Sequence, residues 1–285
     1  MTKSKVTIGM PVYNGENYLD VALNSLLNQT YHNFELIISD NASSDKTADI
    51  CKKYAQNDHR IHYIRQKNNI GALKNFEFVL KKSSCDYFMW AACDDIWDNT
   101  FIENCMNLLI DNENIKFVFP LSKISSMDRS QSHTMNYKHF SFISNSNPKI
   151  RVLQFSNLHH LSHKCNLVYS LFRTSILKTT WKYIDISNDG HFCMVILKNY
   201  QGELTTECLF EKRFSGYAIH QLVIDKINNK DSNFFINKNN FILNLNKSVN
   251  DAVLLFPEFS KNFLRIKQQY TELNTNLDYK ILEDI

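Results

Sequence analysis

The first hundred residues alternate between short apolar runs and longer amphipathic segments. Short runs of apolar and β-branched residues are typical of buried strands, and apolar positions repeating every three or four residues are typical of helices. The pattern therefore predicts a repeat of strand and helix. The predicted strands are 6–13, 34–40, 60–66 and 86–92, and the predicted helices are 17–29, 45–56 and 71–82.

Such a repeat predicts an α/β fold with a mostly parallel, Rossmann-like sheet flanked by helices. In open α/β sheets, ligands bind outside the carboxyl ends of the strands. The loops that follow the four strands should meet at that edge, and they are 11–14, 40–44, 66–71 and 93–95. The adjacent carboxylates of Asp94 and Asp95 should therefore share an edge with Asp40.

The second half of the chain has a less regular pattern. A predicted strand at 116–121 precedes a polar segment that runs to residue 149, and a loop of this length is often functional or mobile. The last residues are rich in Asn and Lys, with helical periodicity interrupted by Pro257. We expect three parts: 1–112, 113–225 and a C-terminal helical extension, 226–285.

The composition is that of a folded protein with nearly balanced charge. Of 285 residues, 44% are hydrophobic, and the net charge of +3 is too small to indicate a nucleic-acid partner. Seven cysteines form no CxxC pair, so we expect reduced thiols and a cytoplasmic protein. No apolar run approaches the roughly 20 residues that span a bilayer, and we expect no signal peptide before the first strand.

The glycines argue against two common phosphate sites. Only six occur, and none forms the GxGxxG pattern of dinucleotide folds or the GxxxxGK pattern of P-loops. A diphosphate ligand would then need countercharge from another source, and a divalent cation on carboxylate oxygens can supply it. The CDD sequence at 93–95 offers two such carboxylates.

Four sequence pieces at the ends of predicted strands carry a resemblance. They are PVYN at 11–14, SDNASSD at 39–45, NNIGALKNFEFVL at 68–80 and FMWAACDDIW at 88–97. In this order they resemble the nucleotide-sugar domain of family 2 glycosyltransferases, over about residues 5–109. The resemblance implies the GT-A fold, transfer with inversion from a nucleotide-activated sugar, and the use of Mg²⁺ or Mn²⁺.

The resemblance also implies where the base of the donor lies. The turn at 11–14 would lie against the base, and Asp40 would accept a hydrogen bond from its imide N–H. A uracil or thymine fits such an acceptor. The turn consists of Pro11, Val12, Tyr13 and Asn14.

The following loops depart in part from the family pattern. Asn41 and Ala42 stand where the family has the second acid and the glycine of a DDGS turn, which puts the turn conformation in question. Gly71 and Lys74 are expected to contact the nucleotide. For Lys74 and its neighbour Asn75, a solvated helix face is the competing interpretation.

The acidic pair matches the metal-binding element of the family. Asp95 matches the carboxylate that binds the cation, and Asp94 matches its neighbour facing the ribose and the metal. Cys93 replaces the first acid of the usual DxD, which should weaken the cation site. The pair could instead cap the next helix, but Asp98 is better placed to do so.

A later segment resembles the catalytic half of the family. Asp189 matches the general base, Asn188 stands where Glu is frequent, and Arg213 falls where a cation can meet the diphosphate. A helix cap is the competing interpretation for Asp189. Asp185 and Glu211 are rival bases, although Glu211 is better explained by pairing with the cations next to it or by solvent.

Several histidines do not complete a recognisable site. His159, His160, His163 and Cys165 fit no standard closed zinc spacing, and their apolar neighbours favour packing. His220 is the nearest candidate for a histidine that the family carries after its basic pair, but its match is weak.

These features predict an enzyme that transfers a sugar from a uridine-type donor to a hydroxyl of a glycan or lipid-linked saccharide. Two alternatives stay open: a catalytically silent binding module, because Cys93 and Asn188 replace acids, and a nucleotidyltransferase, which lacks its usual glycine-rich loop here. The C-terminal extension could pack on the body, pair with a second copy or touch the inner membrane face.

Overall fold

The computed structural model describes residues 4–130, 132–134, 137–158, 164–181 and 189–214. Several predictions fall outside these residues and stay predictions. They concern the C-terminal extension 226–285, the three clustered histidines His159, His160 and His163, the rival base Asp185, the replaced acid Asn188, and His220.

The strand and helix repeat is present in the first part of the chain, close to its predicted bounds. The strands are β1 Val6–Val12, β2 Phe34–Asp40, β3 Ile61–Arg65 and β4 Tyr87–Trp90, and the helices are α1 Leu19–Leu27, α2 Thr47–Asn57 and α3 Ala72–Lys82. Strands β1 to β4 are parallel, in the order β3-β2-β1-β4. Their carboxyl ends therefore lie at one edge, as predicted.

The sheet continues through elements from the second half of the chain. These elements are β5 Ile96–Trp97, α4 Phe101–Asp111, β6 Ile115–Ser126, β7 Ser132–Thr134, α5 Pro148–Asn157, β8 Leu171–Arg173, α6 Thr174–Thr180, α7 Asp189–Asn199 and β9 Gln201–Phe214. Beyond β4 the order is β8-β6-β9-β5, with β7 paired to β6. Strands β6 and β9 are parallel, whereas the other pairings here are antiparallel.

Hydrophobic cores cover both faces of the sheet. Strand β4 is buried throughout, and its alternating side chains enter different cores. Phe88 and Trp90 join the core that contains residues of α3, α5 and α7, whereas Tyr87 and Met89 join the core that contains residues of α1 and α4. Because both faces are filled, the site must lie at the strand ends.

The polar segment before residue 149 was predicted as a long loop, and this prediction is wrong for its described part. Strand β6 extends to Ser126, and a 3₁₀ helix occupies Tyr137–Ser144. Phe140, Phe142 and Ile143 are buried in the core. Three apolar residues in a polar stretch were enough to anchor it.

Two further observations concern the environment of the protein. All seven cysteines carry free thiols. Among the helices of the described ranges, none is long and apolar enough to cross a membrane.

Candidate active site

Backbone amides of the loop after β1 donate hydrogen bonds to side chains of the segment that follows β2. The Asn14 amide donates to Ser43 Oγ at 3.0 Å, and the Gly15 amide donates to Thr47 Oγ1 at 2.8 Å. In return, Asn14 Oδ1 accepts from the Ser44 amide at 2.9 Å. Asn14 has a φ of 51°, a conformation that Asn adopts more readily than most residues. Pro11 and Val12 are buried in β1, so of the predicted PVYN turn only Tyr13 and Asn14 lie in the loop, and Tyr13 is 50% exposed.

Asp40 lies at the carboxyl end of β2, and both of its oxygens accept hydrogen bonds. Oδ1 accepts from the Ser43 amide at 2.8 Å, and Oδ2 accepts from Tyr63 Oη and Arg65 Nη1, each at 2.9 Å. The carboxylate is fully buried. A base N–H would have to use a remaining lone pair or replace one of these donors, so the predicted role of Asp40 stays a prediction.

The departures at Asn41 and Ala42 have structural explanations. Ala42 has a φ of 60°, in the left-handed region that favours glycine, so alanine adopts here a conformation that glycine would adopt without strain. Asn41 donates to Asn69 Oδ1 at 2.9 Å and accepts from the Ile70 amide at 2.8 Å. An ionised aspartate could accept but could not donate, so an amide suits this position.

The loop before α3 brings Gly71 to the same edge. Gly71 has a φ of 84° and lies at the N-cap of α3, where the amide donates to Asn69 Oδ1 at 2.8 Å. Lys74 is exposed on the first turn. The solvated position considered for Asn75 is wrong: Asn75 is buried and donates to the Ser39 carbonyl at 2.8 Å.

The two carboxylates of the acidic pair lie in different environments. Asp94 is half-buried, and no described residue donates a hydrogen bond to its carboxylate. Asp95 is fully buried, at 0% exposure. Its Oδ2 accepts from Lys212 Nζ at 2.9 Å, and its Oδ1 accepts from the Arg213 amide at 3.0 Å. Strand β9 pairs with β5 immediately after the acids, which places β9 against Asp95.

Opposed effects determine the pKa values of Asp95 and Lys212. Burial raises the pKa of Asp95 to about 7, although the positive charge of Lys212 acts against the shift. Burial alone would lower the pKa of Lys212, but its interactions with Tyr169, Asp95 and Asp94 raise it overall. Lys212 also lies 4.8 Å from the centre of the Tyr169 ring. The lysine is therefore a buried cation held against a carboxylate and an aromatic face.

Arg213 lies beside the acidic pair, and its predicted contact with the diphosphate stays a prediction. Its Nε donates to the Asp94 carbonyl, and its Nη2 donates to the Tyr18 carbonyl at 3.3 Å. Its guanidinium carbon lies 5.1 Å from the centre of the Tyr18 ring. These contacts fix a second positive charge at this edge.

Cys93, the residue in place of the first acid, is a neutral thiol. Burial raises its pKa to about 12. Its Sγ would lie 3.1 Å from a Cβ built on Gly15, so Cys93 packs against the loop after β1. Across the described residues, no group of three or more His, Cys, Asp or Glu side chains is arranged to hold a metal.

The oxygen chemistry of the acidic pair still fits Mg²⁺ or Mn²⁺. Both metals prefer carboxylate oxygens, and the Asp94 carboxylate has none of its hydrogen-bonding capacity taken by described residues. Asp95 would have to use a remaining lone pair or lose one of its two donors.

Asp189 is the first residue of α7, and its side chain is exposed. Surrounding protein atoms nevertheless desolvate the carboxyl enough to raise its pKa, whereas the charge of Lys212 acts to lower it. This electrostatic interaction links Asp189 to the same region as Asp95.

Glu211 has different partners from those expected. Its Oε1 accepts from Ser125 Oγ at 2.6 Å and from Arg129 Nε at 2.9 Å. Pairing with the adjacent cations on β9 is therefore wrong, because Lys212 binds Asp95 and Arg213 binds the carbonyls of Asp94 and Tyr18 instead. These contacts make Glu211 a structural residue and weaken it as a rival base.

The sequence did not identify Lys212, Tyr169 or Arg65 as members of the site. A basic pair at 212–213 was visible, but only Arg213 was assigned a contact. The one sequence signal available for Lys212 was the strand periodicity of β9. This periodicity directs the side chains of Lys212 and Arg213 to different sides of the strand, so the two cations should have different partners.

Sequence comparisons connect the chain to known proteins. The family model described as Glycosyl transferase family 2 matches residues 7–181. The chain is 34% identical over 112 residues to the glycosyltransferase GlyA of Streptococcus pneumoniae, covering 39% of this chain and 16% of the relative. It is 29% identical over 159 residues to the minor teichoic acid biosynthesis protein GgaB of Bacillus subtilis, covering 55% and 17%. The chain spans less than half the length of these curated relatives.

Structures of S. aureus TarS share the fold. One superposes with a TM-score of 0.62 at 18% identity, covering 99% of this chain and 55% of that chain. A TarS structure in complex with UDP gives a TM-score of 0.60 at 17% identity, covering 94% and 91%. A complex with UDP-GlcNAc gives 0.60 at 16% identity, covering 94% and 92%. The likeness confirms the predicted GT-A type of α/β fold.

Proposed function

The chain belongs to glycosyl transferase family 2, and on that premise we propose that it transfers a sugar from a uridine diphosphate sugar to a hydroxyl group. The acceptor would be a glycan or a lipid-linked saccharide, and the anomeric carbon would be inverted. The observation that carries the proposal is the meeting of Asp94, Asp95, Lys212 and Arg213 beside the segment that follows β1.

The nucleotide is proposed to bind along the loops after β1, β2 and β3. TarS structures of the same fold were solved with UDP and with UDP-GlcNAc, which supports a uridine nucleotide. The half-exposed ring of Tyr13 offers a stacking surface, and base stacking on an aromatic ring contributes about 1–3 kcal/mol. Asp40 would add specificity by accepting from the base, and Gly71 and Lys74 would border the nucleotide.

A divalent cation, Mg²⁺ or Mn²⁺, is part of the proposal. When bound, it would act as a Lewis acid that stabilises the leaving diphosphate. Asp94 and Asp95 would hold it through carboxylate oxygens. Arg213, fixed by the Asp94 carbonyl and Tyr18, would supply a further positive charge to the diphosphate.

Asp189 is the proposed general base. A base near the start of α7 is held by the helix, and the raised pKa of its carboxyl makes it a better proton acceptor than an ordinary aspartate. It would remove the proton of the acceptor hydroxyl as that oxygen attacks the sugar.

The proposal also covers the partners and the cellular setting. GgaB is described as a teichoic acid biosynthesis protein, which favours a cell-surface glycan as acceptor. Free thiols fit the expected cytoplasmic location. Contact with the membrane surface and formation of a homodimer remain predictions.

A silent binding module is the second candidate, because Lys212 holds Asp95 and Cys93 replaces an acid. The test is to incubate the protein with UDP-GlcNAc and other UDP-sugars, Mn²⁺ and saccharide acceptors, and to measure released UDP. Acceptor-dependent release above the protein-free rate supports transfer. Tight UDP binding without release supports the silent module. If the protein neither binds nor releases UDP, both candidate functions are contradicted.

A further inference from the structure

Lys212 occupies the carboxylate that the proposed cation needs. Its Nζ lies 2.9 Å from Asp95 Oδ2, while the Arg213 amide lies 3.0 Å from Oδ1. Both oxygens of this fully buried carboxylate are therefore bonded. A cation placed here would face a lysine charge only a few ångströms away, so this ion pair opposes the binding of a cation at Asp95.

Lys212 has surroundings that allow it to change partners. Its side chain is 18% exposed, so part of it reaches the open edge of the site. Tyr169 holds the ammonium through its ring, 4.8 Å away, and through its hydroxyl at 3.5 Å. These contacts do not involve Asp95, and they would continue to support the cation if Asp95 turned away.

We propose that Asp95 exchanges partners when the donor binds: it passes from Lys212 to the divalent cation, and Lys212 turns to the donor diphosphate. This inference rests on the proposed function. No covalent bond changes in the exchange, and each positive charge keeps a negative partner throughout. Lys212 would therefore contact the donor directly once Asp95 has left it.

The exchange has a thermodynamic consequence. In the free protein, Lys212 competes with the cation for Asp95, so Mn²⁺ alone should bind weakly. A nucleotide diphosphate gives Lys212 a new partner and releases Asp95, so UDP and Mn²⁺ should each strengthen the binding of the other by the same factor. A protein of this kind would not hold its metal before its donor.

The test measures Mn²⁺ binding by electron paramagnetic resonance, with and without UDP, at pH 8. Lys212→Met should bind Mn²⁺ alone about tenfold more tightly than wild type, and its coupling with UDP should fall by about tenfold. Lys212→Arg keeps the charge and should behave like wild type. The matched control is Lys81→Met, because Lys81 pairs with Glu77 at 2.7 Å on the exposed face of α3 and should change neither quantity.

Unchanged Mn²⁺ binding and coupling in a folded Lys212→Met protein would overturn the exchange. A crystal structure of the wild type with UDP and Mn²⁺ decides the question without any variant. The exchange requires Lys212 Nζ to leave Asp95 Oδ2 and approach the diphosphate, and an intact pair at hydrogen-bonding distance contradicts it. If UDP fails to bind at all, the proposed function falls together with the exchange. UDP binding and sugar transfer with the pair intact would contradict the exchange alone.

Discussion

The two ends of the candidate site are built in different ways. The nucleotide end consists of the loops after β1, β2 and β3, where Asn14 binds Ser43 and Asp40 binds Arg65 across 29 and 25 positions of sequence. The acidic end consists of residues 94, 95, 212 and 213, and its ion pair joins residues 117 positions apart. The first end follows from a local strand and helix repeat, whereas the second depends on the return of β9. Substitutions at the nucleotide end should mainly change binding, and those at the acidic end should change both stability and chemistry.

The largest effect is expected at Asp189, close to the acidic end. Asp189→Asn keeps the size and the capping oxygen of the side chain but removes the base, so kcat should fall by about 10²–10⁴. Donor affinity and melting temperature should hardly change. Sugar transfer, UDP binding and thermal unfolding are to be measured on the same preparation.

The pH dependence of kcat provides a second test of Asp189 as the general base. The ionised form is the base, and desolvation raises its pKa above the ordinary value of 3.8. Activity should therefore be lost on acidification at a higher pH than for an ordinary aspartate, and it should recover as the pH rises. Glu211→Gln is the comparison, and transfer at the wild-type rate by Asp189→Asn would place the base elsewhere.

The next largest effect is a loss of stability at the acidic end, which would not be expected at an exposed turn. Asp95→Ala leaves Lys212 buried without its carboxylate, and breaking a buried pair in this way costs about 3–5 kcal/mol of unfolding free energy. Removing a carboxylate from a solvated turn would lower the free energy of unfolding much less. Urea denaturation of Asp95→Ala, Lys212→Met and the double variant gives the coupling between the two residues.

Glu77→Ala serves as the control for that cycle, because Glu77 pairs with Lys81 on the surface of α3. An exposed helix pair of this type contributes about 0.3–0.5 kcal/mol. If Asp95→Ala is no more destabilising than Glu77→Ala, the buried ion pair does not stabilise the fold.

A smaller effect is expected at the nucleotide end. Asp40→Asn keeps an acceptor for the Ser43 amide but loses the charge that holds Arg65 and would receive the base. Since hydrogen bonds to charged groups contribute about 1.5–3 kcal/mol, KM for the donor should rise about ten- to hundredfold while kcat holds. Steady-state kinetics check this, and a lower kcat at unchanged KM would instead assign Asp40 to the chemistry.

The smallest effect concerns the strained turn at Ala42. Ala42→Gly relieves a left-handed conformation but increases the freedom of the unfolded chain, and the net gain should be about 0.5–1 kcal/mol. Ala72→Gly at the exposed start of α3 is the matched control and should lose stability instead. Chemical denaturation distinguishes the two signs, and equal losses would contradict the strain.

The sequence predicted the nucleotide end better than the acidic end, for a physical reason. Strands β1 to β4 are strong apolar runs, and the segments between them have helical periodicity. The alternation of strands and helices, and the edge at which the carboxyl ends of the strands meet, could therefore be inferred. The burial of Asp95 could not be inferred, because it depends on the pairing of Ile96 with Glu211 across the sheet. Hydrophobic periodicity carries no information about which distant strand will pair.

Individual side chains show the same limit. Asn75 was considered for a solvated face, yet it is buried against Ser39, because a polar residue can satisfy its hydrogen bonds inside the protein. Glu211 was matched to adjacent cations, whereas its partner Arg129 lies 82 positions away. The family resemblance assigned Arg213 to the diphosphate, and that role stays a prediction, although its guanidinium lies beside the acidic pair.

The most direct test of the central claim is calorimetric binding of UDP, UMP and GDP to the wild-type protein in the presence of Mn²⁺. If the nucleotide end reads the base and the acidic end holds the diphosphate, UDP should bind most tightly. UMP should lose affinity because it lacks the diphosphate group that Lys212 and Arg213 would meet, and GDP should lose affinity because its base does not fit Asp40. Equal binding of all three nucleotides, or none, would contradict the account.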